Sequence, residues 1–265
     1  MPKAPSQSRR IITRVVTPFN RATVVARGRT RHLEVDGATY ASFHPTRRFF
    51  GYAWDALAAA ALYHPKAAHG GRGMHILLIG LGGGTALHGL NILVPHASIT
   101  TAEIDAQLVD ITRDHFDLKA TGARVVVGDG YAHAEGAGPI YDLILDDAFL
   151  ASGEAARTQA VSPVLLDRMT KGLRAGGMLA CNVFTDSAHA KARLAARAVF
   201  AARYPATVEL VPPKGHNAIL CGLPVARPLA DVRAHINALP TGAKNAMLKV
   251  RAMVGGEWPA STTAQ

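Results

Sequence analysis

Four of the five positions from 80 to 84 are glycine, and they follow the apolar run His75 to Ile79. Such a run has the composition of a short strand buried on both faces. Glycines at its end let the backbone turn tightly and approach a ligand with no Cβ in the way. Glu103 ends the second expected strand, Ile99 to Ala102. A carboxylate about 20 residues beyond such a turn lies beside it and can accept both hydroxyls of a ribose. Gly80, Gly82 and Gly84 make a G-x-G-x-G series, with Thr85 in place of the last glycine of G-x-G-x-x-G. The spacing serves dinucleotides and S-adenosylmethionine alike, and the missing last glycine favours a nucleoside without a pyrophosphate. Two further acids end apolar runs in the same way, Asp129 after ARVVVG and Asp146 after YDLIL. Asp146 and Asp147 are neighbours on a strand end, so their side chains diverge and one of them faces the ligand. Asp146 is the expected base, with Tyr131 and His216 behind it.

These residues need a frame that brings strand ends together. The pattern predicts short strands near Ile11 to Val16, Thr23 to Ala26, His32 to Val35 and Thr39 to Ser42, with Asp36-Gly37 as a hairpin turn. From Phe50 the spacing of Phe50, Trp54, Leu57 and Ala61 predicts a helix that ends before Pro65 and packs those side chains into the core. A helix from Thr85 carries Leu87, Leu90 and Val94 on one face and stops at Pro95. Asp105 can cap a helix running through Phe116, and Ser162-Pro163 opens another with the serine as cap. RAGGMLACNVF reads as a fifth strand, Ala188 to Arg203 as a helix, and Thr207 to Val211 with Asn217 to Cys221 as a pair. One more helix closes the chain. The expectation is an α/β fold, a doubly wound sheet with ligands beyond the carboxyl ends of its strands. Its divisions are a disordered tail over 1–10, an N-terminal β-hairpin domain over 11–48, a Rossmann-like domain over 49–254 and a frayed tail over 255–265.

The 265 residues suffice for one large α/β domain with a small appendage. No apolar stretch approaches the roughly 20 residues of a spanning helix, and MPKAPSQSRR lacks the apolar centre of a signal peptide. The expected compartment is therefore the cytoplasm. The two cysteines, Cys181 and Cys221, fall in apolar runs, and no Cys/His cluster has metal-ligand spacing. The formal charge is +10, and eight lysines and arginines, from Lys3 to Arg31, precede the first acid, Glu34. These arginines have no aromatic interleaving, so a solvated basic face is expected rather than a nucleic-acid site.

Taken together, LLIGLGGGT, TAEID, VVVGDG and YDLILDDAF, preceded by a hairpin segment with VDG, resemble the spermidine synthase family and its undecided relatives. The resemblance runs from about Arg31 to Leu223. It implies a seven-strand methyltransferase-type sheet, an N-terminal β-domain and a homodimer. It also implies that Glu103 is the ribose-binding acid and that Asp129 and Gly130 hold the adenine. Several positions depart from the family. Gly83 stands where true aminopropyltransferases carry a turn aspartate that helps hold the aminopropyl amine. Phe149 stands where the second aspartate of Asp-Ser-Ser-Asp deprotonates the attacking amine. The hairpin glutamine falls at Tyr40, and the polar pair after the tyrosine matched by Tyr52 falls at Ala53 and Trp54.

A diamine is dicationic and needs carboxylates in place of its hydration. Aromatic residues in their stead suit a less charged acceptor, in a pocket made by Tyr40, Tyr52, Asp147 and Phe149. The expected function is thus S-adenosylmethionine-dependent methyl transfer to a small-molecule acceptor, with Gly80, Gly82 and Gly84 among the cofactor-binding residues. With no carboxylate at Gly83, the intact cofactor is expected to bind more tightly than its decarboxylated form. The alternatives are an aminopropyltransferase with an altered acceptor site and a non-catalytic nucleoside-binding protein.

Overall fold

A computed structural model describes residues 8–152, 155–158 and 161–255. The chain opens with a four-stranded antiparallel meander: β1 (Arg9–Val16), β2 (Arg21–Arg27), β3 (Thr30–Val35) and β4 (Ala38–Phe43). Asp36 and Gly37 both take positive φ, 47° and 83°, as a tight β3–β4 hairpin requires. β1 starts two residues earlier than expected, because Arg9 and Arg10 already pair with Arg27 and Ala26. Arg9 and Arg27 share Glu34, at 2.6 and 3.2 Å, which holds the strand end in place. Of the expected N-terminal tail, residues 1–7 lie outside the described residues.

α1 (Ala53–Ala59) continues into a 3-10 turn through Tyr63. The large sheet then alternates strand and helix: β5 (His75–Ile79), α2 (Thr85–Leu93), β6 (Ser98–Glu103), α3 (Ala106–His115), β7 (Arg124–Val127), α4 (Gly130–Gly136) and β8 (Tyr141–Asp146). A short hairpin follows, β9 (Phe149–Ser152) with β10 (Ala155–Thr158), and then α5 (Pro163–Thr170). β11 (Leu173–Phe184), α6 (Ala190–Arg203), β12 (Ala206–Val211), β13 (Asn217–Leu223), α7 (Leu229–Ala238), α8 (Thr241–Met247) and β14 (Arg251–Val254) complete the described chain.

The eight strands lie in the order β14-β12-β13-β11-β8-β5-β6-β7, parallel from β11 to β7 and antiparallel beyond β11. This is the expected doubly wound arrangement with one strand more than seven. The eighth, β14, is a four-residue edge strand too short to show a pattern, and Pro240 splits the expected closing helix into α7 and α8. Residues 256–265, most of the expected frayed tail, lie outside the described residues.

The apolar strands are explained by helices on both faces. Ile76 and Leu78 of β5 pack toward Leu57 of α1 and Leu87 and Leu90 of α2. Leu77 and Ile79 pack toward Leu165 of α5 and Phe200 of α6. The small sheet lays Val24, Leu33, Val35 and Phe43 on Leu108, Ile111 and Phe116, so α3 is the joint between the two sheets. Among the described residues no helix is long and apolar enough to cross a membrane.

The winding reverses at β5, with β6 and β7 laid down on one side and β8 on the other. Ligands of such sheets bind in the crevice at this reversal, beyond the carboxyl ends of the strands.

Candidate active site

A cleft of about 700 Å³ lies there, with β4 and the start of α1 as its outer wall. That size suits a nucleoside with a small second molecule. Gly80 has φ +88°, and a Cβ on it would sit 2.6 Å from the Asp147 carbonyl oxygen. Only glycine fits where the ends of β5 and β8 pass so closely. Gly82 faces the cleft, with only the Tyr40 carbonyl within 4 Å of its Cβ position.

The other two glycines of the turn are not on the cleft wall. Gly84, expected beside the cofactor, caps α2 in the left-handed conformation, its Cβ direction facing Thr112. A Cβ on Gly83 would lie 2.6 Å from the Ala41 Cβ and 3.1 Å from the Phe116 ring. Position 83 thus points into the joint between the sheets, and its lack of a carboxylate says nothing about a ligand's own carboxylate.

Glu103 lines the cleft at 7 % exposure. Its oxygens accept from the Leu81 N–H (2.9 Å) and the Asp105 N–H (3.1 Å), while burial pushes its pKa upward. Asp105 caps α3 and also receives Thr17 at 2.5 Å and Asn20 at 3.0 Å, which fastens the small sheet to the cleft. Asp129 caps α4 through the Tyr131 and Ala132 N–H groups, and its other oxygen lies 3.5 Å from Arg168. Gly130 is packed so closely on β5 that a Cβ would meet Ile79 at 2.5 Å.

The end of β8 carries the expected base, Asp146, and its neighbour Asp147. Asp146 pairs in register with Ile79 and Cys181, points toward α4, and accepts the Tyr131 hydroxyl at 3.0 Å. It is off the cleft wall, and burial raises its pKa to about 6. Asp147, the next residue, projects the opposite way and lines the cleft. The Asn182 amide donates to its Oδ1 at 2.7 Å, and Asn217 donates to the Asn182 carbonyl at 3.0 Å, so the Asn182 amide is oriented by its neighbour. Burial first, and then the nearby Asp146 charge, raise Asp147 to about 7 against the pull of Asn182. A carboxylate near neutrality is the right group to exchange a proton with a substrate. Tyr131 lines the cleft, but its hydroxyl is held by Asp146 and its pKa is raised by burial. His216 is exposed and off the wall.

Beyond Asp147 the wall is aromatic. Tyr40, Tyr52 and Phe149 line it. Trp54 both lines it and packs on the core, with its ring 5.6 Å from Tyr52, whereas Phe50 is half-exposed beneath Arg47. Phe149 meets Phe184 edge-on at 5.4 Å. The sequence reading missed Asn182, Asn217, Phe184 and Arg168. Asn182 is the one amide in the otherwise apolar MLACNVF, and that was the available signal.

No family model matches the chain. Over 133 residues, 49% of the chain, it is 32% identical to a polyamine aminopropyltransferase of Vibrio vulnificus (strain CMCP6). It spans 42% of the length of that relative. A probable spermidine synthase from Corynebacterium glutamicum ATCC 13032 superposes with a TM-score of 0.71 at 17% identity, over 91% of this chain and 89% of that one. The chain has the spermidine synthase fold. Human methyltransferase-like protein 13, solved in complex with SAH, superposes with a TM-score of 0.60 at 19% identity, over 75% of this chain and 93% of that one. The fold is thus common to both of these proteins.

Proposed function

We propose that this protein transfers an aminopropyl group from a decarboxylated adenosyl sulfonium to an amine, with Asp147 as general base. The carrying observation is Asp147 itself, a cleft carboxylate raised to about 7 and held by Asn182. The charge of the wall supports the same donor. Among its described residues Glu103, Asp129 and Asp147 face one cation, Arg168, which is already engaged by Asp129 and Glu135. An anionic cleft favours a donor ending in a bare ammonium over one that also carries a carboxylate. The polyamine aminopropyltransferase relative points to the same chemistry. This reading replaces the methyl transfer expected from Gly83 and Phe149.

The donor set fits an adenosyl group. Glu103 can accept ribose hydroxyls through lone pairs that its two backbone bonds leave over, and Asp129 and Gly130 border the nucleobase end. The sulfonium supplies an electrophilic carbon, and its sulfur takes the electron pair of the breaking C–S bond. Asp147 does the proton work. An alkylammonium has a pKa near that of lysine, about 10.4, and cannot attack until it loses a proton. Asn182 fixes one Asp147 oxygen and leaves the other for the acceptor. The aromatic wall excludes water and holds donor and acceptor in line.

Methyl transfer from intact S-adenosylmethionine is the second reading. It is favoured by the likeness to methyltransferase-like protein 13, solved in complex with SAH. Incubation with each sulfonium and an amine mixture, read by mass spectrometry, separates the two. Release of 5′-methylthioadenosine from the decarboxylated form supports the proposal, and S-adenosylhomocysteine from the intact form, with no methylthioadenosine, refutes it.

A further inference from the structure

The acceptor half of the cleft is continuous from Asp147 outward. Asn182 holds Asp147 and Asn217 holds Asn182. The Cβ position of Gly215 lies 4.0 Å from the Asn217 amide oxygen and 3.5 Å from the Tyr52 ring, which carries the wall on to Trp54. Phe184 pairs with Asn217 across β11 and β13 and bears Phe149.

Charge is spread unevenly along this path. Of the described carboxylates on the wall, Glu103 and Asp129 belong to the nucleoside end, so Asp147 alone serves the acceptor. At the surface beyond Tyr52 stands Lys214. Its ammonium sits 5.4 Å over the Tyr52 ring and donates to the Phe50 carbonyl at 3.2 Å. It covers one face of Tyr52 from outside the cleft wall. Asp55 lies behind this wall, but it is buried, and its Oδ2 accepts the Phe50 and Gly51 N–H groups. A diamine could place one nitrogen at Asp147, and its other ammonium would then lose hydration against aromatic rings and a lysine.

We infer that the acceptor is a monoamine with an apolar, aromatic body. Its nitrogen meets Asp147 beside the two asparagines, and its body packs on Phe149, Phe184, Tyr52 and Trp54. Offset and edge-to-face contacts of the kind already made by Phe149 and Phe184 suit such a body. The inference rests on the amine-acceptor reading and names its substrate class.

The test is calorimetric titration of the full chain, saturated with 5′-methylthioadenosine, by 2-phenylethylamine and separately by 1,4-diaminobutane. The expected result is a Kd at least tenfold lower for 2-phenylethylamine. In Phe149→Glu the preference should shrink or reverse, because the second ammonium gains a carboxylate. Lys214→Glu should move it the same way from a surface position that leaves the wall's packing intact. Equal or tighter binding of the diamine to the unaltered protein overturns the inference, as does binding of neither amine while the nucleoside binds. Failure of 5′-methylthioadenosine itself to bind overturns the underlying functional proposal instead, so the two failures are told apart.

Discussion

Replacing Asn182 by leucine removes the hydrogen bond that favours the ionised form of Asp147 and keeps the branched heavy-atom skeleton of the side chain. The bond is short, 2.7 Å, and ends on a carboxylate in a partly buried setting. Hydrogen bonds to charged groups contribute about 1.5–3 kcal/mol, and one pKa unit corresponds to about 1.4 kcal/mol, so Asp147 should rise by about 1–2 units. Starting from about 7, it would then titrate well above neutrality. With half of the base ionised at pH 7 before the change, the ionised share falls to about 1–10%, a loss of about 5- to 50-fold in kcat at that pH. The rate should return as the pH is raised, because the base is unaltered and only its protonation has shifted. A bound sulfonium lowers the absolute pKa in both proteins but leaves the difference between them. The assay is a pH–rate profile of kcat at saturating acceptor for the wild type and Asn182→Leu. An acid limb that stays in place, with activity lowered evenly at every pH, would refute the role assigned to Asp147 and to the amide that holds it.

Other outcomes follow from the same geometry. Glu103→Gln and Asp129→Asn should each weaken binding of 5′-methylthioadenosine by about tenfold or more, measured by calorimetry, since each removes a charge-assisted acceptor worth about 1.5–3 kcal/mol. Gly80→Ala should abolish nucleoside binding, as its Cβ would meet the Asp147 carbonyl oxygen at 2.6 Å and strain a φ of +88°. Nucleoside protection against thermal unfolding reports this, and full protection would contradict the placement. Asp147 is raised in the folded state, so the stability it lends is complete below the unfolded value, near 4, and is lost as the pH rises through about 7. Asp147→Asn should therefore stabilise the protein at pH 8, by about 1–3 kcal/mol, and hardly at all at pH 4. Melting curves at the two pH values decide it.

Much of this architecture is legible in local sequence because each signal is carried by a few adjacent residues. The run His75 to Ile79 with its glycines, the Asp105 and Ser162 caps and the Asp36-Gly37 hairpin all work through backbone geometry within one turn of their own position. The acids that close β6 and β7 were found for the same reason. What was not legible depends on which way a strand end faces. Asp146 and Asp147 are chemically alike and adjacent, and only the pairing of β8 between β5 and β11 sends one toward α4 and the other into the cleft. Gly83 misled in the same manner. Its significance was read from a family position, whereas its Cβ direction is set by Ala41 and Phe116, residues remote in sequence. Asn182 and Asn217 meet diagonally across two strands, a contact that no local spacing encodes.

The central claim is that a propyl carbon, rather than the methyl carbon, leaves the sulfonium for an amine whose proton Asp147 has taken. It is tested most directly with decarboxylated S-adenosylmethionine labelled with carbon-13 in the propyl chain, intact S-adenosylmethionine labelled in the methyl group, and 2-phenylethylamine as acceptor, followed by NMR. The propyl label should appear on the amine nitrogen, and this signal should be lost in Asp147→Asn. Appearance of the methyl label on the amine, with the propyl label still on sulfur, would contradict it.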